Sequence, residues 1–342
     1  MKVVSSLLLR WPGCSSLFAT VVLIIGLVFA LPASAPAASF TFTTIDVPGA
    51  FSTSALGINA MGQIVGGFNT ATGAPGFLDT GGVFTTISVP GASTTAAFGI
   101  NGTGQIVGLF NNATGEHGFL DTGSVFTTID VPGTSFGTQA LGINATGQIV
   151  GLFFTPETHG FLDTGGVFTP IDVAGASFTV ASGINATGQI VGEFENATGR
   201  HGFLDTGGVF STIDVPGAFR TEAVGINDTG QIVGGFSNAT GGHGFLDTGG
   251  LFTTIDVPGA STTQARGINA MGQIVGIFFE ATGASHGFLA APAAVPAPNT
   301  LLLLGTGLAF GAAWKRIRRR SGLDWKPSAF APRSFLQNTK SD

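Results

Sequence analysis

A 42-residue internal repeat, four strand-like runs in each repeat and a spare strand ahead of the first predict an all-β chain. The expected fold is a six-bladed β-propeller of four-stranded antiparallel blades, closed by the N-terminal strand. An open β-solenoid is the alternative. A signal peptide and a C-terminal hydrophobic helix are expected to flank this body.

The period carries the argument. Phe42, Phe84, Phe126, Phe168, Phe210 and Phe252 stand 42 residues apart and open near-identical units. The third unit gains a residue near Gly137 and loses one near Pro156, so the spacing survives compensating changes. In the second unit the strand-like runs are Phe84–Val89, Ala96–Ile100, Gln105–Phe110 and His117–Asp121. Between them lie Pro90-Gly-Ala, Asn101-Gly-Thr-Gly and Asn111-Asn-Ala-Thr-Gly, and Asp121-Thr-Gly follows the last. Gly, Asn and Asp supply the positive φ of tight turns, and Pro fixes φ where the chain reverses. Roughly one strand per ten residues is an antiparallel all-β spacing. No run keeps a 3.6-residue apolar period without meeting Gly, which excludes helix here.

Apolar side chains fall on both faces of these runs: Ile106 and Phe110 on one, Val107 and Leu109 on the other. One unit alone would leave both faces wet, so the units must stack. Gly99, Gly104, Gly108 and Gly118 are expected to permit close backbone approach. The first Phe-Thr-Thr-Ile-Asp-Val run, Phe42–Val47, precedes any Gly-Ile-Asn run, and the last unit ends at Leu289 without a following Phe-Thr-Thr-Ile. The sixth blade thus lacks a strand and the N-terminus has one spare. Pairing them removes the exposed edges, whereas a solenoid would carry polar capping units, and none is seen.

The repeat resembles the HAF-type extracellular repeat. The likeness rests on Gly183-Ile-Asn-Ala-Thr-Gly-Gln-Ile-Val-Gly192 and His201-Gly-Phe-Leu204, with Gly where that family has Ala in His-Ala-Phe-Leu. It spans all six units and implies an extracellular repeat protein with no established chemistry.

The ends give the organisation. Lys2 and Arg10 precede an uncharged apolar run, Leu17–Leu31, and then Ala33, Ala35, Ala37 and Ala38, the layout of an exported leader. Cys14 is the only cysteine, and it precedes the apolar run where a lipoprotein cysteine would follow it. There is no disulfide framework to read. At the other end, Val295-Pro296-Ala297-Pro298 leads into the apolar run Leu301–Trp314 and the basic cluster Lys315, Arg316, Arg318, Arg319 and Arg320. This tripartite tail resembles the PEP-CTERM sorting signal, with Ala297 in place of the motif's Glu. The resemblance implies recognition and cleavage by an exosortase-like membrane protease, in families that are typically Gram-negative and make exopolysaccharide or biofilm matrix. The expected organisation is a signal peptide over 1–38 and one propeller of six repeats over 39–290. A Pro/Ala linker with the sorting motif follows over 291–299, then a hydrophobic helix with its Arg cluster over 300–320. The polar tail over 321–342 is read as disordered.

Charge narrows the partners. Between Ser39 and Ala290 there are three basic residues against seventeen acids, a net −14. Such a body repels a phosphate backbone, which excludes nucleic acid. Five histidines recur at one position, His117, His159, His201, His243 and His286, with Pro75 in the first unit. Ring symmetry would hold them apart, so they do not form a metal cluster. Each is expected to bond to its adjacent loop, with a ligand-contacting rim as the lesser reading. The recurring acids of Leu-Asp-Thr-Gly and Ile-Asp-Val read as turn formers, and the Asn-x-Thr sequons as Asx turns. No phosphate loop, serine elbow or catalytic carboxylate pair stands out, and near-identical units leave little room for a unique pocket. Neither catalytic, cofactor-binding nor metal-ligating residues are assigned; calcium is the one ion left open.

The sequence therefore predicts a non-enzymatic, exported cell-surface or matrix protein with exopolysaccharide as partner class. It would be membrane-tethered through its C-terminal helix before processing. The alternatives are a glycan-active propeller enzyme with acids at the channel mouth and a calcium-stabilised adhesin.

Overall fold

The computed structural model describes residues 39–134 and 136–293. The leader over 1–38, the sorting motif at 295–298, the hydrophobic helix and basic cluster over 300–320 and the tail over 321–342 lie outside them. The described residues are all-β, with 24 strands and no helix. Among them no helix is long and apolar enough to cross a membrane.

In chain order the strands are β1 (Phe40–Ile45), β2 (Ser52–Ile58), β3 (Ile64–Asn69), β4 (Gly76–Thr80), β5 (Val83–Ile87) and β6 (Thr94–Ile100). Next come β7 (Ile106–Asn112), β8 (Gly115–Asp121), β9 (Phe126–Ile129), β10 (Thr138–Ile143), β11 (Ile149–Phe154) and β12 (Thr158–Thr164). β13 (Val167–Ile171), β14 (Phe178–Ile184), β15 (Ile190–Asn196), β16 (Gly199–Thr206), β17 (Val209–Ile213) and β18 (Arg220–Ile226) follow. The last are β19 (Ile232–Asn238), β20 (Gly241–Thr248), β21 (Leu251–Ile255), β22 (Thr262–Ile268), β23 (Ile274–Phe279) and β24 (Ser285–Pro292).

They form the antiparallel four-stranded blades of a β-propeller. β2–β5 pair in sequence, as do β6–β9, and the same meander recurs through β21. The sequence unit is therefore offset from the blade. The Phe-Thr-Thr-Ile strand that opens a unit is the outer strand of the preceding blade: β5 pairs with β4, Phe84 opposite Asp79. β22, β23 and β24 take β1 as their outer strand, with Phe40 opposite Pro292 and Ile45 opposite Gly287. β24 runs to Pro292, two residues past the 290 boundary expected for the repeat body.

Each inner strand carries a β-bulge. Register shifts between Ala55 and Gly57, Ala97 and Gly99, and at the matching positions of β10, β14, β18 and β22. The bulge leaves Leu56, Phe98, Leu141, Ser182, Val224 or Arg266 out of the ladder, and a bulge re-aims its side chain. All six line one central cavity of about 480 Å³. The glycine after the bulge allows the inner strands to meet: a Cβ on Gly99 would lie 3.0 Å from the Leu141 carbonyl oxygen, and one on Gly267 3.2 Å from that of Leu56. The fully buried Phe77, Phe119, Phe161, Phe203, Phe245 and Phe288 each fill one blade. Each packs edge-on against the outer-strand Phe, as Phe119 does on Phe126 at 5.7 Å.

Of the glycines expected to allow close approach, Gly108 and Gly118 do so and Gly104 does not. Gly104 sits in open space at φ +82°, so it serves the turn instead.

Candidate functional site

The antiparallel meander sorts the loops to two ends. Connections from inner to second strand lie at one end, with those from third to outer strand. The second-to-third connections, such as Asn112-Ala-Thr-Gly115, and the Pro-Gly-Ala loops lie at the other.

At the first end, asparagines bind blade to blade. Asn59 Oδ1 accepts from the Met61 and Gln63 backbone N–H, which is the Asx turn expected of the Asn-x-x-Gly segment. Its Nδ2 donates to the Asn101 carbonyl of the next blade at 3.1 Å. The same bond runs from Asn101 to Asn144, Asn144 to Asn185, Asn185 to Asn227, Asn227 to Asn269, and Asn269 to Asn59. These asparagines are buried.

At the other end stand the recurring histidines. Each lies at the start of a third strand or just beyond, and none meets another. His117 Nδ1 donates to Asp130 at 3.0 Å, and its Nε2 lies 2.9 Å from Thr114 Oγ1. Its ring stacks on Phe110 at 5.1 Å. His159, His201 and His243 repeat this with Asp172, Asp214 and Asp256 and with Thr155, Thr198 and Thr240. His286 pairs with Asp46, while its Nε2 is buried without a hydrogen-bond partner among the described residues. The Ile-Asp-Val acids are therefore imidazole partners and not turn formers; the Leu-Asp-Thr-Gly acids do hold turns, Asp79 accepting from Gly82 N–H at 2.6 Å.

Thr, His and Asp in this order make the geometry of a nucleophile–base–orienter relay. The hydroxyl, however, also lies 2.6 Å from Asn112 Oδ1, an acceptor only, so its single proton has a competing destination. Three copies on the outer rim tie an Asn-Ala-Thr-Gly loop to the outer strand, and the His159 copy ties the Thr155-Pro-Glu-Thr loop instead.

A second group occurs once among the described residues. The body's three basic residues, Arg200, Arg220 and Arg266, all stand in the last three blades, beside Glu193, Glu195 and Glu222. Arg200 Nη1 donates to Glu193 at 3.3 Å and to Glu222 at 3.5 Å; its Nη2 lies 3.5 Å from Glu195. The guanidinium also lies over the Phe178 ring at 4.6 Å. Arg220 pairs with Glu222. Arg266 Nη2 donates to Gln264 at 2.6 Å. Among the described residues, Glu193 and Arg266 are the only charged ones lining the central cavity. Burial pushes the Glu193 carboxyl above the usual carboxylate range, against the pull of Arg200. Burial also lowers Arg266, with Glu193 pulling the other way.

Sequence reasoning missed this group because the repeat hides it. The signal was departure from the repeat: Glu193 stands where other units have Gly, Leu or Ile, and Arg266 where they have Leu, Phe, Ser or Val. Among the described residues, no three or more His, Cys, Asp or Glu side chains are placed to hold a metal ion.

Residues 294–320 match the family model described as the PEP-CTERM protein-sorting motif. The chain thus carries a signal for export and cell-surface sorting. No curated protein matches the sequence. Among solved structures, the chain is similar to virginiamycin B lyase from Staphylococcus aureus, at 12% identity and TM-score 0.44, over 75% of this chain and 90% of that one. A putative gluconolactonase matches at 10% identity and TM-score 0.43, over 79% and 97%. A subtype N10 neuraminidase-like protein of A/little yellow-shouldered bat/Guatemala matches at 9% and 0.42, over 75% and 98%. At these values the likenesses lend nothing to a functional reading.

Proposed function

We propose that the chain is a non-enzymatic, exosortase-sorted surface or matrix protein of a Gram-negative-type bacterium. Its repeats act as a closed six-bladed scaffold presenting a repeated loop face to exopolysaccharide. The observation that carries this reading is the sorting motif at 294–320, directly after a repeat body that ends at Ala293. The tail tethers the protein to the membrane until an exosortase-like protease processes it. Internal use of the rim polar groups supports a presenting role: His117, Asp130 and Thr114 bond to one another and form no shared centre with other blades.

The test is localisation of a tagged protein in the producing cell, with and without its sorting protease. Surface delivery in the first case and membrane retention in the second supports the reading; unchanged localisation removes it. Retention on the cell's own polysaccharide tests the partner class.

A glycan-active enzyme is the second reading, favoured by one observation. Glu193 and Glu222 share Arg200 Nη1, and burial raises the Glu193 carboxyl above the usual carboxylate range. Against it, both carboxylates are occupied by arginine, and Glu222 by two. Glycan turnover that Glu193→Gln and Glu222→Gln each abolish would establish it.

A further inference from the structure

We propose that the central cavity is a binding site for a small monocarboxylate with an apolar body, its carboxylate seated on Arg266. This site is independent of the surface role proposed above.

Three observations place it. The cavity, about 480 Å³, is bounded by all six inner strands. Five of the six bulge residues facing it are Leu56, Phe98, Leu141, Ser182 and Val224, so four of its six inward positions are apolar. The sixth is Arg266. Its Nη2 is used by Gln264, its Nε is buried with no hydrogen-bond partner, and among the described residues no carboxylate lies within ion-pair distance of it.

A half-buried guanidinium with one protein partner, Gln264, in a largely apolar lining is poorly satisfied by the protein alone. Its Nη1, neither sealed from the cavity nor bonded to another of the described residues, can take one carboxylate. The apolar walls select what the carboxylate is attached to: polyhydroxylated rings would leave hydroxyls facing Leu56, Phe98 and Leu141 without partners. One cation, with Glu193 in the same cavity, also favours a singly charged ligand over a phosphate or a dianion.

The test is isothermal titration of the purified full-length protein with benzoate, glucuronate and benzyl alcohol. Benzoate should bind one to one, and the other two at least about tenfold more weakly. Arg266→Val should weaken benzoate by at least about tenfold. That variant carries the residue the fifth blade has at this position, Val224, and an unchanged melting curve shows that it folds. Glu193→Gln, which removes the other charge lining the cavity, should tighten benzoate. Absence of benzoate binding, equal binding of glucuronate, or undiminished benzoate binding by Arg266→Val would each overturn the assignment.

Discussion

Asn269 Nδ2 donates to the Asn59 carbonyl oxygen at 3.1 Å, across 210 residues of sequence. It is the one bond of the asparagine series that runs backwards along the chain. The same Asn269 side chain accepts from the Met271 and Gln273 N–H, so one residue both forms a turn and joins the last blade to the first.

Asn269→Ala should therefore cost about 2–4 kcal/mol, since it leaves two N–H donors without partners and removes one of the two hydrogen bonds to the buried Asn59 carbonyl, which keeps the Gly62 N–H. Asn144→Ala removes the equivalent bond to Asn185 and should cost a similar amount. Urea unfolding of both variants checks this. A loss confined to Asn144→Ala would mean that the Asn269 bond contributes nothing.

The rim relays should matter much less. His201 lies 3.0 Å from Asp214, but the Asp side chain is 49% exposed. His201→Ala should cost about 1 kcal/mol, part from the exposed hydrogen bond to Asp214 and part from the contact with Phe194 at 5.4 Å. A thermal melt that shifts as far as that of Asn269→Ala would contradict a peripheral, loop-tying role.

Close packing at the second strands gives a sharper contrast. A Cβ on Gly108 would collide with the Ala96 carbonyl oxygen and lie 2.7 Å from the Phe119 ring, whereas one on Gly235 meets nothing nearer than 3.8 Å. Gly108→Ala should cost about 1–3 kcal/mol or more. Gly235→Ala should be tolerated, and a pair of denaturation curves separates the two.

Glu193 sets a pH dependence. Burial raises its carboxyl in the folded state above the unfolded value, so the folded state holds the proton more tightly. Its contribution is fully present below the unfolded value and is lost as pH rises through the folded one. Stability of the parent relative to Glu193→Gln should accordingly fall with rising pH over that window. Parallel stability–pH curves would show that Glu193 does not titrate differently on folding.

How much of this the sequence discloses follows from what repetition can encode. The alternation in Ile106-Val107-Gly108-Leu109-Phe110 locates a strand buried on both faces, and β7 lies at Ile106–Asn112. Turns were legible because Asn59 or Asp79 needs only its own next few residues. The Asn59–Asn101 bond was not, since it depends on a carbonyl brought close by blade packing. Asp130 was misread as a turn former because its partner His117 lies 13 residues earlier, across a strand pair. Arg266 was passed over because a bulge, invisible in the composition, turns that one position towards the axis.

The account rests most heavily on the seam between the first and last strands. Thr41 and Ala291 stand directly opposite in the β1–β24 pair, and opposed residues of an antiparallel pair lie within the Cα range of a disulfide. With Cys14 replaced by Ser, Thr41→Cys with Ala291→Cys should oxidise to an intramolecular disulfide in the monomer. Crosslinked dimers, or two thiols that stay free under oxidation, would contradict a closed ring.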